Sequence, residues 1–198
     1  MEYKNHIGTP LTPNATRVLL LGGGELGRGL ALAFQKLGLE VHAVDRYESA
    51  PACQVAHFHY VADIRDAAAV YELCQQNRPD FVVPEVETVA VDALERIEEN
   101  TDIAVVPSAK ACRLTQDRET IRDLACNELG LPTTAFRFAN SADELRQAVD
   151  ELGLPCIVKP DVATSGKGHM LVQDAEDIAE AWERVHRVGT EDQQVIAE

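Results

Sequence analysis

Apolar and polar positions alternate in blocks along this chain, and the block lengths separate strands from helices. A continuous apolar run at Arg17–Leu21 (R-V-L-L-L), closed by glycine, has the form of a strand buried on both faces. The helical spacing of apolar residues over 26–37 follows it, then a strand over 40–44 that ends at Asp45. The alternation continues with a short strand at Phe58–Val61, a helix over 67–76, a strand over 81–83, a helix over 88–99 and a strand over 103–106 ending at Pro107. Strands separated by helices predict a parallel, Rossmann-like α/β sheet.

Beyond residue 108 the rhythm changes. An amphipathic helical stretch over 108–129, broken near Asp117, stops at Gly130 and Pro132. A strand is expected over 133–138, and Ser141 with Glu144 forms a capping box that opens a helix running to Leu152. Gly153 and Pro155 turn the chain into an apolar strand carrying Lys159, a polar loop follows, and a second apolar strand ends at Val172. A helix over 175–188 holds the single tryptophan, Trp182, as a core residue, and a last strand covers 193–198. This half reads as an α+β unit. The boundary falls within 108–118, giving domains at 1–112 and 113–198, with residues 1–16 as an extended lead-in.

Two glycine-rich turns carry the candidate chemistry. In G-G-G-E-L-G, Gly22, Gly24 and Gly27 satisfy G-x-G-x-x-G between a strand and a helix, with Asp45 about 20 residues on. That pattern admits a dinucleotide, yet a helix N-terminus with free N–H groups binds any phosphate. Glu25 inside the turn would repel a pyrophosphate and suits a smaller ligand bearing an amine or hydroxyls. Glu85 and Glu87, in P-E-V-E, follow a strand at the end where open α/β sheets bind ligands. Their other reading is as acids favouring the first turn of the next helix. Because Glu85 follows the strand directly, it is the expected ligand contact. The second turn, T-S-G-K-G at 164–168, lies between two strands after Lys159, so it is not a P-loop. Its glycines, hydroxyls and Lys167 still suit an anion, although the same residues would make an ordinary hairpin turn.

Composition narrows the partners. With 18 Lys+Arg against 33 Asp+Glu the formal charge is −15, which disfavours nucleic acid and anionic membranes. Five scattered cysteines without C-x-x-C suggest neither a disulfide framework nor a zinc cluster, and the absence of a membrane-length apolar run or a signal-peptide h-region points to a cytoplasmic protein. Apart from His169, the histidines, including His57 and His59 in H-F-H, have no accompanying carboxylate or cysteine cluster and read as structural or solvated rather than as ligands.

Taken together, G-G-G-E-L-G (22–27), A-V-D-R-Y (43–47), V-P-E-V-E (83–87), L-T-Q-D-R (114–118), P-C-I-V-K-P (155–160) and T-S-G-K-G resemble the N-terminal half of the formate-dependent phosphoribosylglycinamide formyltransferases, ATP-grasp enzymes of purine biosynthesis. The resemblance runs from about Thr16 to Glu198. It implies a pre-ATP-grasp domain followed by the start of an ATP-grasp domain, with ATP used to formylate glycinamide ribonucleotide with formate. By resemblance, Glu25, Leu26 and Glu85 contact glycinamide ribonucleotide. Arg118, Lys159, Thr164, Ser165, Gly166, Lys167, Gly168, His169 and Glu198 contact ATP. It also implies a homodimer and Mg2+, whose ligands, with the catalytic residues, are expected beyond residue 198, so that these 198 residues alone would not turn over. Thr164 and His169 depart from the serine and glutamine typical of the family's lid. The carboxylating aminoimidazole ribonucleotide enzymes are the nearest alternative, although glutamine is usual there in place of Glu25, and E-F-E in place of E-V-E. An NAD-dependent dehydrogenase leaves the Lys159 strand and its loop unexplained. A non-catalytic nucleotide-binding fragment is the third alternative.

Overall fold

The computed structural model describes residues 7–162, 166–188 and 194–198. The chain divides into two units, Met1–Arg113 and Leu114–Glu198.

In the first unit, β1 (Arg17–Leu21), β2 (Glu40–Asp45), β3 (Phe58–Val61), β4 (Phe81–Pro84) and β5 (Ala104–Val105) form an all-parallel sheet in the order β3-β2-β1-β4-β5. Successive β1 side chains serve opposite faces. Leu19 and Leu21 pack with residues of α2 (Ala67–Asn77) and α3 (Val91–Asn100), whereas Leu20 packs with α1 (Glu25–Lys36) and the segment at Ala50–Cys53. Burial on both faces is why β1 reads as an unbroken apolar run rather than an alternating one. From β1 the chain steps to β2 and β3 on one side, then returns to β4 and β5 on the other. The carboxyl ends of β1 and β4 therefore form the topological switch point, where open α/β sheets bind ligands.

The second unit has a four-stranded sheet in the order β6-β9-β7-β8, all its pairings antiparallel, from β6 (Arg137–Ala139), β7 (Cys156–Pro160), β8 (Met170–Val172) and β9 (Val195–Ala197). Val158, Cys156, Val172, Val195 and Ala197 join α6 (Ala142–Leu152) and α7 (Asp177–His186) in one core. The alternate residues, Ile157, Lys159 and Leu171, are at least partly exposed on the opposite face.

Several expectations change at element ends. The strand expected over 133–138 forms instead at Arg137–Ala139, paired with Val195–Ala197. The helix expected from residue 88 starts at Val91, so neither Glu85 nor Glu87 lies in its first turn, where Asp92 is the acid. The strand expected over 103–106 shortens to Ala104–Val105, and the helix over 175–188 to Asp177–His186. The 108–129 stretch becomes α4 (Ala109–Thr115), α5 (Arg118–Asp123) and a π-helical turn at Leu124–Glu128. Ser141 caps α6 through the Glu144 N–H, but the Glu144 carboxylate accepts from Asn140 N, one residue before the cap. Trp182 is only partly buried, at the edge of its core. No disulfide links the five cysteines, and among the described residues no helix is long and apolar enough to cross a membrane.

Candidate functional site

The first cluster is built on the switch point of the parallel sheet. Gly22 N donates to Val44 O, and Glu85 N to Leu21 O, which fixes both residues at the ends of their strands. Gly22 has φ +116°, and a Cβ there would meet Glu85 Oε2 at 2.7 Å. Only glycine lets the carboxylate lie so close over the turn. Gly23 N donates to Asp45 Oδ2 at 2.7 Å, so the acid that suggested a dinucleotide ribose is bound to the turn itself. At Gly27 a Cβ would stand 2.5 Å from Gly22 O, which explains the close crossing of α1 over β1. Gly24, by contrast, has open space around it and caps α1 without any side-chain hydrogen bond. Glu25 and Leu26 open the helix and are exposed.

Glu85 is the chemically conspicuous group. Among the described residues its Oε2 is the buried side-chain oxygen without a hydrogen-bond partner. Burial, then the charges of Glu87 and Asp45, push its pKa up. A buried oxygen left without a donor is costly, and a ligand N–H or O–H would relieve that cost. Glu87, two residues on, is exposed.

The second cluster belongs to the other unit. Lys159 of β7 stands opposite Ile196 of β9, so Glu198, two residues further on, is its diagonal neighbour on the same face. Lys159 Nζ binds Glu198 Oε1, and Arg122 of α5 binds Glu198 Oε2. Burial raises the Glu198 pKa, but the Lys159 hydrogen bond and the Arg122 charge outweigh it, so the carboxylate is held below its usual range. Arg118 is anchored through Nε to Pro160 O at 2.9 Å, and its N–H donates to Asp161 Oδ1 at 3.0 Å. Its guanidinium lies 3.5 Å from His169 Nε2. Burial, then the charges of Arg118 and Lys159, lower the His169 pKa, which favours the neutral ring.

The structure thus gathers Arg118, Lys159, His169 and Glu198. Thr164 and Ser165 lie outside the described residues. Gly166 and Gly168 both have positive φ, and Gly168 packs against Pro160 and Val188. Lys167 instead lines an open groove of about 400 Å³ with Glu180, Arg184 and Arg187. Arg122 was not expected from the sequence, although its i, i+4 spacing from Arg118 in R-E-T-I-R was a visible signal. His57 is structural, its Nδ1 accepting from Val41 N at 3.0 Å. Among the described residues no group of three or more His, Cys, Asp or Glu could hold a metal ion.

Two family models match the chain in succession. Residues 15–116 match the ribonucleotide synthetase preATP-grasp domain, and residues 124–198 match the ATP-grasp domain. A formate-dependent phosphoribosylglycinamide formyltransferase of Corynebacterium glutamicum (strain R) is 56% identical over 183 residues, covering 92% of this chain and 45% of that protein. The solved structure of glycinamide-RNase-transformylase T from Mycobacterium tuberculosis matches with a TM-score of 0.69 at 38% identity, over 92% of this chain and 47% of that one. A carboxyaminoimidazole ribonucleotide synthase from Aspergillus clavatus complexed with ATP gives 0.79 at 29% identity, over 92% and 46%. The chain thus spans about half the length of the relatives it matches.

Proposed function

The chain belongs to the ribonucleotide synthetase family, carrying its preATP-grasp domain followed by an ATP-grasp domain, and on that premise we propose that it serves the ATP-dependent formylation of glycinamide ribonucleotide. The observation that carries the reading is the buried, unpartnered Glu85 Oε2 over Gly22 at the switch point, which asks for a ligand that donates hydrogen bonds. Glycinamide ribonucleotide offers an amine, an amide and ribose hydroxyls. Glu85 accepts from these donors, and Glu25 and Leu26 in the adjoining first turn complete its contacts. In the second unit Arg118, Lys159, His169 and Glu198, with the 164–168 loop, hold ATP.

The terminal phosphoryl of ATP passes to a formate oxygen, giving formyl phosphate and ADP. The ribonucleotide amine then attacks the formyl carbon, the C–O bond to phosphate breaks, and the amine loses a proton as phosphate departs. Lys159 and Arg118 offset the phosphate charge, and most of the protein's contribution is positioning. Support for formate over bicarbonate comes from the relatives: the formyltransferases reach 56% identity, against 29% for the carboxyaminoimidazole structure. A homodimer in the cytoplasm, using magnesium-ATP, belongs to the same reading, with its domains divided at 112/113. Sedimentation at micromolar concentration tests the homodimer.

The deciding experiment uses the protein at the length of its relatives and measures ADP release with each substrate varied. Glu85→Ala should raise the KM for glycinamide ribonucleotide at least about tenfold while leaving that for ATP within about threefold, and Lys159→Ala should do the reverse. Equal effects on both substrates would contradict the assignment. ADP release only with aminoimidazole ribonucleotide and bicarbonate would transfer it to the carboxylating relatives.

A further inference from the structure

The sharing of one carboxylate between two cations, Lys159 and Arg122, has a consequence for how an anion could enter the second cluster. The three side chains are largely enclosed, with Lys159 16%, Glu198 11% and Arg122 17% exposed. Lys159 has three N–H donors but a single charge, so a phosphate that engages it weakens its hold on Glu198. A carboxylate deserted by its only cation in such surroundings is strongly destabilised, because its charge is left enclosed and uncompensated. Glu198 avoids that state because its second oxygen is held from a different element, α5, by Arg122.

Resting on the reading of this cluster as the ATP site, we propose that Arg122 is a positioning residue: it keeps Glu198 ionised and in place so that Lys159 can leave the carboxylate for a polyphosphate. Arg122 acts through Glu198 and has no need to touch the nucleotide. Its guanidinium is also 5.8 Å from the Phe136 ring centroid, a contact that helps fix the side chain where it meets Glu198. Two cations and one carboxylate leave a surplus positive charge, which Lys159 carries to the ligand when the Arg122–Glu198 pair stays behind. Without Arg122, Glu198 would retain Lys159, and a polyphosphate would have to break the only ion pair the carboxylate has left.

The test compares ATP with adenosine, because only ATP brings phosphates that compete for Lys159. Equilibrium binding would be measured on the protein at its relatives' length, for wild type, Arg122→Met, Arg122→Lys, Arg122→Met/Glu198→Gln and Lys159→Met. Arg122→Met should weaken ATP at least about tenfold and adenosine less than about threefold. Adding Glu198→Gln should recover most of that loss, since a neutral amide needs no second cation, and Arg122→Lys should lose less than Arg122→Met. A parallel loss of ATP and adenosine, or no recovery in the double variant, would overturn the proposal in favour of a mere strut or a direct phosphate contact. Should Arg122→Met fail to fold, Arg122→Lys and the double variant still decide, because only the proposed role makes the double variant bind ATP more nearly like wild type. An unchanged ATP affinity in Lys159→Met would instead sink the nucleotide reading itself, leaving Arg122 without a ligand to serve.

Discussion

Glu40 and His42 are the acidic and basic side chains most deeply set into the described structure, 3% and 6% exposed at the start of β2. Glu40 accepts from Leu11 N at 2.6 Å and Arg17 Nε at 2.9 Å, and its Oε1 is 2.9 Å from His42 Nε2. These partners outweigh burial and hold its pKa below the usual range. His42 is also lowered, by burial first, against the pull of Glu40 and helped by Arg17 and His57. A histidine lowered in the folded state is protonated more readily when unfolded, so acidification through its unfolded value of about 6.5 removes stability. Glu85 and Asp161, both raised mainly by burial, act in the opposite sense, so the clean observable is a difference. Between about pH 7.5 and about pH 5.5, wild type should lose urea stability relative to His42→Gln. A constant gap between the two proteins would show that His42 is not lowered. None of this was legible in the sequence, where His42 sits in an apolar strand, its partner Tyr60 lies 18 residues on, and the partners of Glu40 come from Arg17 and the Leu11 turn. Glu85, by contrast, was marked out by its place directly after a strand, and only its orphaned oxygen required coordinates.

The strand-to-helix turn at Gly22–Gly27 raises a question that belongs to an element. Gly22, Gly23 and Gly27 are each required by close contacts, whereas Gly24 has φ −66°, ψ −169° and nothing within 4 Å of the position a Cβ would take. Any residue adopts that backbone, and serine would supply the cap that α1 lacks. Packing therefore does not explain Gly24, and ligand approach to the first N–H groups of α1 would. Gly24→Ser should leave thermal stability unchanged or raise it by a few tenths of a kcal/mol, while weakening glycinamide ribonucleotide at least about tenfold. Unaltered affinity would remove this turn from the site. Elements such as β1 and β3 were legible to the residue because glycine, proline or a change of period bounds them. β6 was not, since its place is fixed by pairing with β9, far along the chain, a constraint local pattern does not contain.

At the scale of the molecule, the change from parallel to antiparallel pairing coincides with a change of core. The first unit holds its apolar residues in two clusters, one on each face of its sheet, and the second in a single cluster under α6 and α7. No described cluster contains buried residues of both units. This organisation was readable from the switch in rhythm near residue 108, because βα repeats and antiparallel strands impose different spacings. It predicts that core damage stays local. Leu94→Ala, in α3, removes a fully buried side chain from the first unit, and Ile178→Ala, in α7, removes one from the second. Each should cost about 2–5 kcal/mol. Amide hydrogen exchange followed by mass spectrometry should show Leu94→Ala raising exchange in β1, β2 and β4 with β7 and β9 little changed, and Ile178→Ala producing the mirror pattern. If either substitution instead loosened both sheets equally, the two units would be a single cooperative body, and the separate cores would not mark independent stability.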